Sequence, residues 1–366
     1  MKIENVKIIN ANETIENATI HIEDGKITKI DKLEGCGMIM AVPGFIDTHM
    51  HGFVGHDFMD GKEAVEKITK ELAKHGTTSV FPTAMTAEWK KVIEALEVIA
   101  TTESLGSKIA GIHLEGPFIA KEKKGAHDER YLVVPTMKNT KEVIDASKGK
   151  LKKITIAPEL LTKEVAKLLT DNGVTITLGH GAADAKTTRE AIKYGATSAT
   201  HLWNAMTNVE NRNPGMAEVF LQEDKVYAEL ITDLIHVDGE TIKLTVKAKG
   251  SDKVVVVSDA IRPAGLEDGK FKSGGLDIEK KGQKITLAGT DTIAGSASTI
   301  HSNFKNMTDL GFKINEVVAM TSYNAAKSLN LKGLGEIKVG NIADIVIMDG
   351  GLDIKNVYID GKEIKG

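Results

Sequence analysis

The chain has little of what marks a secreted, membrane-bound or nucleic-acid-binding protein. A single cysteine, Cys36, occurs in 366 residues, so no disulfide framework is expected and a reducing compartment fits. No apolar run is as long as the roughly 18 residues a spanning helix needs. The opening Met-Lys-Ile-Glu-Asn-Val-Lys lacks the apolar centre of a signal peptide. Both point to a cytoplasmic location without a membrane partner. Neither charge sign dominates: 47 Lys+Arg face 51 Asp+Glu, a net charge of -4, which excludes the basic excess of a nucleic-acid binder. Arginine itself is scarce, with only Arg130, Arg189, Arg212 and Arg262. Each is therefore a candidate for a task that lysine performs poorly, such as a forked anion clamp. There is no internal repeat, no low-complexity tract and no G-x-G-x-x-G turn, which weakens a doubly wound nucleotide-binding sheet as the alternative fold.

What the chain does contain is a regular alternation. Residues 2–10, 18–23 and 26–31 read as strands, with Asp24-Gly25 as a hairpin turn. The C-terminal end repeats the pattern at 343–348 and 356–359. The two ends, 1–42 and 335–366, are expected to form one small β-sandwich domain. Between them, strand-like runs at 44–49, 77–83, 109–115, 154–159, 175–180, 198–203, 227–233 and 253–260 alternate with helix-period segments such as 62–74, 88–100, 163–171, 185–194 and 239–249. Eight β-α units in about 280 residues predict an α/β fold of the TIM type, a (β/α)8 barrel over 43–334. Segment 262–292, rich in glycine and turn residues, reads as an inserted hairpin.

In such a barrel the reacting groups sit at the C-terminal ends of the strands. The first predicted strand ends in His49-Met-His51, whose side chains share one face because strand residues two apart point the same way. The third ends in Glu115, the fifth in His180, the sixth in His201 and the eighth in Asp259. Individually each has a plain structural reading: a buried histidine with a satisfied hydrogen bond, a loop carboxylate, a helix cap for Asp259. Jointly, imidazoles and a carboxylate at one end of one scaffold predict a site for Zn, Fe, Mn or Co. His113 shares the face of Glu115 but lies deeper and is assigned to packing. His21, His75 and His301 have no such context, and His56 stays open.

The runs Pro43-Gly-Phe-Ile-Asp-Thr-His-Met-His51, Gly111-Ile-His-Leu-Glu-Gly-Pro-Phe118, Lys124-Gly-Ala-His127, Thr200-His-Leu-Trp-Asn-Ala-Met206, Asn213-Pro-Gly215, Val257-Ser-Asp-Ala260 and Ala294-Gly-Ser296 resemble the amidohydrolase superfamily. Within it they resemble the family that deacetylates N-acetylglucosamine 6-phosphate. The resemblance covers nearly the whole chain. It implies metal-dependent hydrolysis of the sugar's acetamide to glucosamine 6-phosphate and acetate, in amino-sugar catabolism. It implies Glu115, His180 and His201 as the main metal ligands, and Asp259 as general acid and base. Some members lack the first-strand histidines and hold one ion; this chain keeps His49 and His51, so one or two divalent ions are expected. Substrate contacts are implied at Ala126, His127, Asn204, Ala205, Arg212, His236, Ile293, Ala294 and Gly295. A homodimer is implied, with Arg212 reaching into the neighbouring subunit's site. One departure stands out: Leu234 occupies a position before His236 where the family often has glycine, which leaves the local backbone open. The alternatives are another amidohydrolase acting on a different N-acyl or cyclic amide, and a barrel without catalysis serving as an interaction protein. Cyclic-amide members commonly bridge two ions with a modified lysine on the fourth strand; the predicted fourth strand ends in Ala157-Pro-Glu159, without one.

Overall fold

The computed structural model describes residues 1–365. Its centre is a sheet of eight parallel strands in sequence order: β1 (Phe45–Met50), β2 (Thr77–Met85), β3 (Ile112–Glu115), β4 (Leu151–Ile156), β5 (Thr175–Leu178), β6 (Ser198–Ala199), β7 (Tyr227–Ile231) and β8 (Val254–Val257). The sheet closes on itself just beyond β8. The amide of Asp259 donates to the carbonyl of His49 at 2.9 Å, and that of His51 donates to Ala260 at 2.9 Å. This is a (β/α)8 barrel.

Helices cover the outside because their sequences carry one apolar stripe. In Lys62–Lys74 the buried residues are Ala64, Val65, Ile68, Thr69, Leu72 and Ala73, the three- and four-residue spacing of a half-buried helix. Lys163–Asp171 starts at Thr162, whose hydroxyl accepts from Val165 N, and Ala185–Lys193 starts at Asp184, which accepts from Thr187 N at 2.8 Å. Such side-chain caps satisfy amides that a helix start leaves free.

Several strands end earlier than their apolar runs suggest. The fourth is Leu151–Ile156 rather than 154–159, and the sixth is only Ser198–Ala199 rather than 198–203. The third is broken after Ile109 and resumes at Ile112. His180, His201 and Asp259 carry φ values of +48°, +28° and +50°. Each therefore leaves the strand ladder abruptly, in a backbone region that costs a non-glycine residue about 1–3 kcal/mol and clusters at functional sites.

The chain ends form one seven-stranded sheet in the order Lys362–Glu363, Ile354–Ile359, Ile345–Met348, Ile39–Pro43, Lys2–Ile9, Thr14–Glu23, Lys26–Lys32. Val42 opposite Val346 joins the N- and C-terminal halves. Ile8, Ile20 and Ile27 share an apolar core with Ile345 and Ile347, so the sheet curls until its two edges face. A Cβ on Gly361 would meet Ile22 Cγ2 at 2.6 Å, which is why the turn there carries glycine. The segment after β8 is a four-stranded antiparallel sheet, Gly269–Ser273, Leu276–Lys281, Lys284–Leu287 and Ile293–Ser296. Its last strand returns to the barrel mouth, where Ser296 bridges to Ala260.

The barrel interior is unusually polar. His113, Lys153, Thr155, Thr177, Thr200 and Glu229 are all buried there. His113 Nε2 lies 2.8 Å from the Thr155 hydroxyl, and the Thr200 hydroxyl lies 2.9 Å from those of both Thr155 and Thr177. Bulky branched side chains usually fill these layers.

Candidate active site

Glu115 is the centre of the site. Its Oε1 lies 2.9 Å from His201 Nε2, 3.2 Å from His180 Nε2 and 3.3 Å from His49 Nε2. Its Oε2 lies 3.0 Å from His51 Nε2. Asp259 Oδ1 approaches His51 Nε2 at 3.3 Å and His49 Nε2 at 3.5 Å. Two ligand groups thus share one carboxylate: Glu115 with His180 and His201, and Glu115 with His49, His51 and Asp259. No other group of this kind occurs among the described residues.

The donor set fits a divalent ion. Nitrogen and oxygen ligands about 2 Å from a tetrahedral metal lie about 3.3 Å from one another, close to the spacings here. The His180 Nδ1–H donates to the carbonyl of Lys123 at 2.8 Å, which leaves the Nε2 lone pair turned toward His201 and Glu115. His49 Nδ1 is likewise turned away, 3.3 Å from Glu229 Oε2.

Charge tells the same story. Burial alone would push the His49 and His51 imidazoliums down. Glu115 and Asp259 outweigh it and raise them to about 9 and about 10. Burial would raise Glu115 and Asp259, yet the surrounding histidines hold Glu115 well below the carboxylate range and Asp259 at about 2. Without an ion, protons on imidazoles balance two buried carboxylates; a divalent cation is the alternative occupant.

His127 sits beside this centre, its Nε2 3.6 Å from Glu115 Oε2. Burial lowers it to about 4, so it is neutral at pH 7. Its Nδ1 is 2.7 Å from the Thr86 hydroxyl. A Cβ on Gly116 would lie 2.3 Å from that same hydroxyl, so glycine is required after Glu115. His236 pairs through Nδ1 with Asp233 at 2.7 Å. Leu234 adopts φ +64°, so the backbone keeps the left-handed conformation that glycine favours, and Asp233 Oδ1 still accepts the amides of Ile235 and His236, each at 2.9 Å.

A cavity of about 320 Å³ opens over the centre. Ala126, His127, Asn204, Ala205, His236, Ile293, Ala294 and Gly295 all line it, with Asp259 and four of the five metal-ligand candidates. His49 is the exception: it is fully buried and outside the lining. Arg212 is exposed and outside the lining. The other three arginines pair with Asp128, Glu223 and Asp60; Arg212 has no carboxylate partner among the described residues. No helix begins at Asp259, so the cap reading of that residue falls away. His113 is buried between Thr83 and Thr155, His21 pairs with Asp31, and His301 with the Leu352 carbonyl.

Four contributors were not expected from sequence: Thr86, the Lys123 carbonyl, and the pair Lys153–Glu229. The fourth strand does carry a lysine, Lys153, but deep in the barrel and paired with Glu229 rather than at the mouth. Neither strand's sequence marks the pair: Lys153 follows another lysine, Lys152, in β4, and Glu229 is a single charge in β7.

The sequence model of the Amidohydrolase family matches residues 40–364. N-acetylglucosamine-6-phosphate deacetylase of Lysinibacillus sphaericus is 34% identical over 95% of this chain and 93% of its own length. N-acetylgalactosamine-6-phosphate deacetylase of Escherichia coli O157:H7 is 30% identical over 95% of each chain. Among solved structures, an aspartate-to-alanine variant of N-acetyl-D-glucosamine-6-phosphate deacetylase from Mycobacterium smegmatis, in complex with N-acetyl-D-glucosamine-6-phosphate, superposes with TM-score 0.93 at 27% identity, covering 100% of this chain and 99% of that one. A Glu115-centred cluster at the mouth of a (β/α)8 barrel, and a family match over residues 40–364 that spans the whole barrel, lead to one assignment: the chain belongs to the amidohydrolase family.

Proposed function

We propose that the protein hydrolyses the acetamide of N-acetylglucosamine 6-phosphate to glucosamine 6-phosphate and acetate, a step of amino-sugar catabolism. The observation that carries this reading is the convergence of Glu115, His180, His201, His49 and His51 with Asp259 at one cavity, in a chain about one-third identical to enzymes of that name.

An amide is a weak electrophile with a poor leaving group. Glu115, His180 and His201 would hold one divalent ion, and His49, His51 and Glu115 a second; an ion so held would supply Lewis-acid polarisation and lower the pKa of water to about 7. Asp259, ionised and beside His49 and His51 at the cavity, takes the proton of the attacking water and returns it to the departing nitrogen. Water adds to the acetyl carbon, the C–N bond breaks, and acetate and the amine leave. His127, neutral and fixed by Thr86, donates from Nε2 to the carbonyl oxygen as charge develops there.

The phosphate requires an anion site. His236, positively biased by Asp233, and the backbone at Asn204-Ala205 line the cavity. Arg212 is exposed, lies outside the lining of its own cavity and has no carboxylate partner among the described residues, which suits a homodimer in which it clamps the phosphate bound by the neighbouring subunit. A cytoplasmic location fits a sugar-phosphate substrate and a chain in which no described helix is long and apolar enough to cross a membrane. Among the relatives is one named for the galactosamine epimer. Purified protein assayed for acetate release on both epimeric 6-phosphates, and on unphosphorylated N-acetylglucosamine, tests the reading. Turnover of N-acetylglucosamine 6-phosphate is expected to be highest; absence of turnover on either phosphate would reject it.

A further inference from the structure

Directly beneath the two ligand groups lie two ionisable side chains that the proposed chemistry does not use. Lys153 on β4 and Glu229 on β7 are 1% and 2% exposed. They pair directly with each other. The Lys153 ammonium also donates to the Thr48 carbonyl at 3.1 Å, and the Thr48 hydroxyl donates to Glu229 Oε1 at 3.2 Å. Every one of these contacts to Glu229 uses Oε1. The other oxygen, Oε2, is turned to His49 Nδ1 at 3.3 Å.

For stability alone this arrangement has little to recommend it. Desolvating two charges costs about as much as their attraction returns, and a well-packed apolar pair of similar volume often serves a fold equally well or better. The pair makes sense through what it does to His49. A neutral imidazole has one N–H and one lone pair, and the partner of one nitrogen decides which is which. We infer that Glu229 is a positioning residue for the second ion: it accepts the Nδ1–H of His49 and thereby keeps a lone pair on Nε2, the nitrogen that faces Glu115, His51 and Asp259. Lys153 balances the charge and, with Thr48, holds Oε1 so that the carboxylate cannot rotate away. The inference rests on the reading of His49 as an ion ligand.

The first ligand group is oriented differently. His180 is set by a neutral carbonyl, that of Lys123, and His201 Nδ1 has no partner. Neither side chain hydrogen-bonds to Glu229. Loss of Glu229 therefore separates the two ions, whereas a general packing defect would weaken both.

Glu229→Gln makes the point sharply. Glutamine keeps one acceptor oxygen, which Lys153 and Thr48 both claim. Its NH2 must then face His49 Nδ1 and donate, which selects the tautomer with the proton on Nε2 and removes the lone pair. Apo-protein titrated with Zn²⁺ against a competing chelator should show wild-type affinity for the first ion. The second ion should bind about 10–100-fold more weakly, the range found when an outer partner of a metal histidine is lost. Should Glu229→Gln fail to fold, Lys153→Met/Glu229→Leu, which removes both buried charges together with the acceptor of the His49 Nδ1–H, carries the same test. A folded variant that binds two ions with wild-type affinities would overturn the inference while leaving the metal centre intact. Wild-type protein that binds only one ion would overturn the second site itself.

Discussion

The two ligand groups that share Glu115 are held in place by opposite means. His180 and His201 sit where strands β5 and β6 break off into left-handed backbone, and His180 takes its orientation from a neutral main-chain carbonyl. His49 and His51 stay within or just past a continuous strand, β1, and His49 is oriented from below by a buried ion pair that spans the barrel from β4 to β7. The histidines of one group are set by left-handed backbone at strand ends, and His49 of the other by charge in the core. The difference teaches that the second group depends on residues far from the cavity, and that the two can be damaged separately.

Breaking the first group should have the largest effect. His201→Ala removes a ligand 2.9 Å from Glu115; turnover of N-acetylglucosamine 6-phosphate should fall to background and bound metal should drop by at least one ion per chain. Full metal occupancy in this variant would mean that the Glu115, His180, His201 group is not the tight site. Asp259→Asn comes next. It preserves shape but removes the proton acceptor, so kcat should fall by about 10²–10⁴-fold while metal content at the first group is unchanged. Near-normal turnover would take Asp259 out of the mechanism.

His49→Ala tests the comparison itself. It should remove one ion and leave the other, with a smaller loss of turnover than Asp259→Asn. If both ions are lost together, the groups are one cooperative site rather than two. Arg212→Lys, outside both groups, should have the smallest effect. Losing a forked charge-assisted hydrogen bond, about 1.5 kcal/mol, should raise KM for the phosphorylated sugar about tenfold. Unphosphorylated N-acetylglucosamine should be affected little. Equal losses on both substrates would assign Arg212 a structural role.

Why the sequence revealed one group more fully than its support follows from the same contrast. His49, His51, Glu115, His180, His201 and Asp259 each terminate an apolar run, and position at a barrel-strand end is a linear property that alternation exposes. The helices at Lys62–Lys74, Lys163–Asp171 and Gly239–Lys249 were legible for a similar reason, through a local stripe of buried residues. Lys153 and Glu229 were not. Each reads as an ordinary charge in a strand, and only closure of the barrel brings β4 against β7 to make the pair. Thr86 escaped notice because its hydroxyl matters only through His127 and the space left by Gly116. The short β6 was also hidden, since the turn at His201 depends on a strained φ that the apolar run 198–203 does not disclose.

The account rests on the Glu115-centred cluster being a metal centre that drives amide hydrolysis. Metal content per chain, measured alongside turnover of N-acetylglucosamine 6-phosphate as ions are stripped by chelation and then restored, tests it most directly. Turnover should fall to background as the metal is removed and return when Zn²⁺, Mn²⁺, Fe²⁺ or Co²⁺ is added back. Unchanged turnover in the metal-free chain would contradict it.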